Sequence, residues 1–67
     1  MQFSPKKLRK LMAARGLNAT QLAAQVGVTE GSVDNWRAGR REPNATKTGR
    51  LCKALACEVG DLMDGGE

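Results

Sequence analysis

The chain has 67 residues, enough for one domain, and a domain of that size buries only about 60% of its unfolded surface. Eleven Lys and Arg against seven Asp and Glu leave a net charge of +4, with no histidine and two cysteines that form neither a CxxC nor a Cys/His cluster, so a zinc site is not expected. No apolar run approaches the ~20 residues of a membrane span, the N-terminal MQFSPKKLRKLM is too charged for a secretory leader, and the Ala-, Leu-, Lys-, Arg- and Gln-rich composition points to an all-α fold.

Ser4 is a natural N-cap and Pro5 fits the first helical position. Phe3 and Leu8 are spaced as a hydrophobic staple, and Leu8, Leu11 and Met12 make an apolar stripe. Gly16 ends this helix and Leu17 turns the chain back into the core. Asn18 opens a second helix and forms a capping box with Gln21; Leu22, Ala23 and Val26 are its inner face, and Gly27 stops it. Thr29 caps a third helix over Glu30 to Ala38, with Val33 and Trp36 inward and Gly39 at its end.

Arg40-Arg41-Glu42-Pro43 reads as a polar loop. Asn44 then caps a fourth helix to about Ala56, with Thr48, Leu51, Cys52 and Leu55 inward. Gly49 inside it costs roughly 1 kcal/mol relative to alanine. Continued along a helix, Cys52 and Cys57 would point to different faces, as buried reduced thiols rather than a disulfide. Leu62 and Met63 belong to a fifth, short helix after Val59. One domain over residues 1–63 is expected, with a fraying tail over residues 64–67.

The charge is unevenly spread. Residues 1–17 hold five basic side chains and no acid; residues 40–50 hold four basic side chains and Glu42; residues 51–67 hold four acids and Lys53. A basic front half and an acidic end suit a polyanion partner on one side.

The stretch TQLAAQVGVTEGSVDNW joins two short helices through Gly27-Val28-Thr29. Ala23 is small where a second helix must pass close, Gly27 supplies a sharp turn, and Leu22, Val26, Val28, Val33 and Trp36 point to a shared core. This is the helix-turn-helix pattern. The run LNATQLAAQVGVTEGSVDNWRAGRREP, Leu17 to Pro43, resembles the Cro/phage-repressor-type helix-turn-helix domain. The tail ALACEVGDLM, Ala54 to Met63, is similar to that family's closing segment.

The resemblance implies a compact five-helix domain whose third helix enters the major groove. It also implies dimers that place two such helices about 34 Å apart. On the outer face of that helix Thr29, Glu30, Gly31, Ser32 and Asn35 are the expected base readers. Asn35 can bond adenine bidentately, Glu30 can accept from cytosine N4, Ser32 can meet either class of base edge, and Gly31 lets the helix approach closely. Phosphates fall to Asn18 and Gln21 at the start of the second helix and to Arg40 and Arg41 in the loop after the third. Trp36, at helical spacing from Val33, is expected in the core.

The chain departs from the family pattern at three positions. Ala19 stands where relatives carry a phosphate-contacting glutamine, and Met12 and Arg37 replace a partly buried Arg–Glu pair. Exchanging both halves of a buried pair avoids a stranded charge. Met12 is therefore expected to pack against Trp36 and the stem of Arg37, leaving the guanidinium for solvent, an acid or a phosphate.

These features imply a cytoplasmic, sequence-specific regulator of transcription on double-stranded DNA. A repressor is expected, bound as a homodimer to a palindromic site, without cofactor, metal or membrane. With no sensor domain expected after the fifth helix, occupancy would follow protein concentration or a partner. The alternative reading is an antitoxin-like or adaptor module that binds a protein partner and autoregulates its operon. An enzyme is not expected: there is no histidine, paired catalytic carboxylate, phosphate loop or cofactor fingerprint.

Overall fold

The computed structural model describes residues 2–64. Its elements follow the capping residues. The Ser4 hydroxyl accepts the Lys7 N–H at 3.2 Å and starts α1, Pro5–Arg15. The Asn18 side chain accepts the Gln21 N–H at 2.8 Å and starts α2, Ala19–Val26. Thr29 accepts the Ser32 N–H at 3.2 Å and starts α3, Glu30–Ala38. Asn44 accepts the Lys47 N–H at 2.8 Å and starts α4, Ala45–Leu55.

The inward positions of these helices meet in one core. Leu8, Leu22, Val33, Leu51, Leu55 and Leu62 are fully buried, with Phe3, Met12, Ala19, Ala23, Val26 and Trp36 around them. The helix α2 packs on both α3 and α4, and α1 packs on α3. Among the described residues the buried polar side chains are Ser4 and Thr48, and both are satisfied. Ser4 is a cap, and the Thr48 hydroxyl donates to the Asn44 carbonyl at 2.8 Å.

All four α-helices end in the same way. The residue after each helix takes a left-handed conformation: Gly16, Gly27, Gly39 and Ala56. The next N–H then donates to the carbonyl five residues back. The bonds are Leu17 to Met12 at 2.9 Å, Val28 to Ala23 at 3.0 Å, Arg40 to Asn35 at 3.0 Å and Cys57 to Cys52 at 2.9 Å. This is the Schellman closure, which brings the two bonded residues' side chains together. Met12/Leu17, Ala23/Val28 and Cys52/Cys57 pack in or against the core. Asn35/Arg40 is the polar exception.

The closure corrects the reading of the cysteines. Cys57 lies beyond α4, and left-handed Ala56 folds it back beside Cys52 instead of carrying it to another face. Both thiols are free and half-buried rather than fully buried.

The expected fifth helix is a single 3-10 turn, Val59–Leu62, so there are four α-helices among the described residues. Four residues that include Gly60 are too few to repay helix nucleation. The Asp61 N–H donates to the Glu58 carbonyl at 3.0 Å, and the Asp61 carboxylate accepts the Glu58 N–H at 3.0 Å.

A short antiparallel ladder then joins β1, Gln2–Phe3, to β2, Met63–Asp64, with Phe3 opposite Met63. Two-residue strands leave no alternating pattern to read, so the all-α expectation misses them. Asp64 pairs with Gln2 and sits 3.4 Å from the Lys7 ammonium. The rest of the expected fraying tail, residues 65–67, lies outside the described residues.

Candidate nucleic-acid interface

The linker between α2 and α3 turns sharply because Gly27 takes φ +81°, a conformation that side chains rarely adopt. Val33 and Trp36 anchor α3; their relative exposures are 0% and 5%. Trp36 is thus a core residue, unable to stack on a base. With the inner face pinned, the opposite face stays outside. Thr29, Glu30 and Gly31 are exposed, and Ser32, Asp34 and Asn35 are half-buried. A Cβ on Gly31 would meet only the Thr29 hydroxyl at 3.9 Å, so nothing of the protein crowds that surface.

The polar groups of this face are not equally available. The Thr29 hydroxyl accepts the Ser32 N–H at 3.2 Å and lies 3.1 Å from the Ser32 hydroxyl. These two side chains therefore hold each other at the helix start. Asn35 accepts through Oδ1 from Arg40 Nε at 3.0 Å.

At the start of α2, the Gln21 side chain accepts the Asn18 N–H at 3.0 Å, completing the capping box. Asn18 and Gln21 are both exposed. Ala19 is 5% exposed and belongs to the core. Arg40 and Arg41 are exposed on the loop after α3. The expected residues therefore lie at two places: the α3 face with its following loop, and the first turn of α2.

Met12 is buried among the core residues, as is Trp36. Arg37 is half-buried and its guanidinium meets the Asp34 carboxylate at 3.3 Å, one helical turn back. Arg9 donates to the Arg37 carbonyl and ties α1 to the end of α3. A surface depression is lined by Arg9, Met12, Leu17, Asn18 and Arg37. Arg9 and Arg37 thus share this depression with Asn18, the N-cap of α2.

Several cations have internal work that the charge pattern does not reveal. Arg15 donates to the Leu55 carbonyl at 2.8 Å and the Ala56 carbonyl at 3.3 Å, capping the end of α4. Arg50 donates to the Val26 carbonyl at 3.4 Å at the end of α2. Lys7 serves the terminal ladder through the Met63 carbonyl and Asp64. The available signal was the need of every helix end for donors to its last carbonyls. Which arginine supplies them depends on tertiary distance.

Burial, followed by the neighbouring Cys52 thiol and Asp61, pushes the Cys57 thiol up to about 11, against a smaller opposing effect of Arg15. A thiol so shifted stays protonated at neutral pH and is a poor nucleophile. Among the described residues no three His, Cys, Asp or Glu side chains gather as a metal site requires, and no helix is long and apolar enough to cross a membrane.

Residues 7–64 match the family model of the Cro/C1-type HTH DNA-binding domain. The structure superposes on the P22 c2 repressor, solved in complex with a synthetic operator. The TM-score is 0.87 and the identity 26%, over 97% of this chain and 98% of that one. It also superposes on the restriction-modification controller protein C.AhdI from Aeromonas hydrophila, at TM-score 0.83 and 29% identity over 88% and 89% of the two chains. In sequence it is 28% identical to the HTH-type transcriptional activator BcrR of Enterococcus faecalis over all of this chain, which spans only 32% of that protein.

Proposed function

Because the chain belongs to the Cro/C1-type helix-turn-helix DNA-binding domain family, we propose that it is a sequence-specific transcriptional regulator, a repressor, that reads double-stranded DNA with α3. The observation that carries this reading is α3 itself: buried Val33 and Trp36 hold it while Glu30 and Gly31 stay exposed. A helix anchored on one side and polar on the other is what a major groove can admit.

In this reading Glu30 and Asn35 make the base contacts, Gly31 permits close approach, and Thr29 and Ser32 add hydroxyls at the helix start. Asn18 and Gln21 meet a phosphate at the start of α2, where the helix dipole favours an anion. Arg40 and Arg41 carry positive charge along the next stretch of backbone, and Arg9 and Arg37 reinforce the α2 site. Two copies on a palindrome would set their α3 helices about 34 Å apart. Binding to chromosomal DNA would place the protein in the cytoplasm. Repression is favoured over activation because this chain covers 98% of the operator-bound P22 c2 repressor chain, against 32% of the activator BcrR.

The test is selection of bound duplexes from a random pool, followed by affinity measured against salt. A palindromic consensus is expected, with log affinity falling by about 0.9 per neutralised phosphate for each unit of log salt. Asn35→Ala should cost about 1–3 kcal/mol at one base pair, while Arg41→Ala should weaken all sequences alike. No enriched site and a flat salt dependence would refute the reading and favour a protein-binding adaptor.

A further inference from the structure

Arg40 and Asn35 form a side-chain pair whose partners sit at the two ends of the Schellman closure of α3. The Arg40 N–H donates to the Asn35 carbonyl at 3.0 Å, and Arg40 Nε donates to Asn35 Oδ1 at 3.0 Å. The Gly39 N–H also donates to the Asn35 carbonyl. The backbone therefore fixes both residues before the side chains meet, and little further ordering is needed to join them. At the other three helix ends the corresponding side chains pack in or against the core. Here the pair lies at the edge of the proposed reading face, with Asn35 half-buried and Arg40 exposed.

The pairing changes what Asn35 offers. An asparagine amide has one acceptor oxygen and two N–H donors. Presented together, an acceptor and a donor match the N6 donor and N7 acceptor of adenine. In this chain a guanidinium occupies one lone pair of that oxygen and lies beside it, which leaves the two Nδ2 hydrogens and a single acceptor position open on the amide. The remaining guanidinium nitrogens of Arg40 are donors too. The pair therefore presents donors in excess over its one remaining acceptor position, and the base that offers two acceptors and no donor in the major groove is guanine, through N7 and O6.

We propose that Arg40 is a specificity-determining residue that acts through Asn35: by holding Oδ1 it converts an adenine-reading amide into a guanine-reading pair. This rests on α3 being the base-reading helix. In this role Arg40 acts through Asn35, in addition to the charge it carries along the backbone, which acts on all sequences alike.

The full chain and its Asn35→Ala, Arg40→Ala and Arg40→Lys variants would each be used to select duplexes from a random pool. Affinities would then be measured on the four single-base versions of the consensus at the pair that Asn35→Ala flattens. The wild type is expected to prefer guanine over adenine there by about tenfold. Arg40→Ala should abolish or invert that preference. Arg40→Lys should retain the charge and the salt slope, yet still lose the preference, because an ammonium lacks the planar guanidinium fork. Helical circular dichroism would verify that each variant folds.

An unchanged preference in both Arg40 variants, uniform weakening across the four duplexes, adenine preferred by the wild type, or no pair flattened by Asn35→Ala would overturn the assignment while leaving the DNA-reading helix intact. Absence of any consensus for the wild type would overturn both.

Discussion

Among the described residues Ala56 is the only non-glycine with positive φ, at 52°. The equivalent position at the other three helix ends is glycine. An L-residue held there costs roughly 1–2 kcal/mol. Replacing it by glycine relieves that strain but loosens the unfolded chain by about 0.5–1 kcal/mol. Ala56 is exposed, so the lost methyl removes no core contact. The two hydrogen bonds from Arg15 go to main-chain carbonyls and survive the exchange.

Ala56→Gly should therefore stabilise the domain by about 0.5–1 kcal/mol. In a domain of this size that corresponds to a Tm increase of about 2–8 °C. Thermal unfolding followed by circular dichroism, at matched protein concentration, measures it. The reverse exchange, Gly39→Ala, should destabilise, because φ is +79° there and the new Cβ would sit 3.4 Å from Pro5 Cγ. A Tm unchanged or lowered by Ala56→Gly would refute the claim that the α4 closure stores backbone strain.

Gly49 lies within α4 without a positive φ, and a Cβ there would meet nothing within 4 Å. Gly49→Ala should raise stability by about 1 kcal/mol in urea titration, since alanine is the better helix former. The raised Cys57 pKa predicts a pH effect of definite sign. The folded state holds the thiol proton up to about 11, from an ordinary value of 9.0, so this contribution is complete below pH 9 and is lost as pH rises to 11. The wild type should lose stability over that interval more steeply than Cys57→Ala, and parallel pH curves for the two proteins would contradict it.

The parts of this fold that were legible in advance are those set by neighbours in the chain. Ser4, Asn18, Thr29 and Asn44 each cap their own first turn. The period of Leu22, Val26, Val33 and Trp36 names the buried faces, because side-chain direction in a helix follows directly from spacing. The likeness of the Leu17 to Pro43 run to a known helix-turn-helix family follows from the same local pattern. The last element departs from the expected helix because apolar Leu62 and Met63 carry no information on whether one turn becomes α-helical or 3-10. The cysteines depart from the expected placement because a left-handed alanine is rare enough that Ala56 reads as continuing helix.

By itself, the sequence determined four capped helices, their inward faces and the polar outer face of α3, all through contacts within a turn or two of chain. Tertiary structure alone decided which cations are committed to helix ends and that Lys7 secures the terminal ladder. These choices depend on where carbonyls and amides arrive once the helices have packed. A long basic side chain can serve a phosphate or a distant carbonyl equally well until that arrangement places one of them within reach.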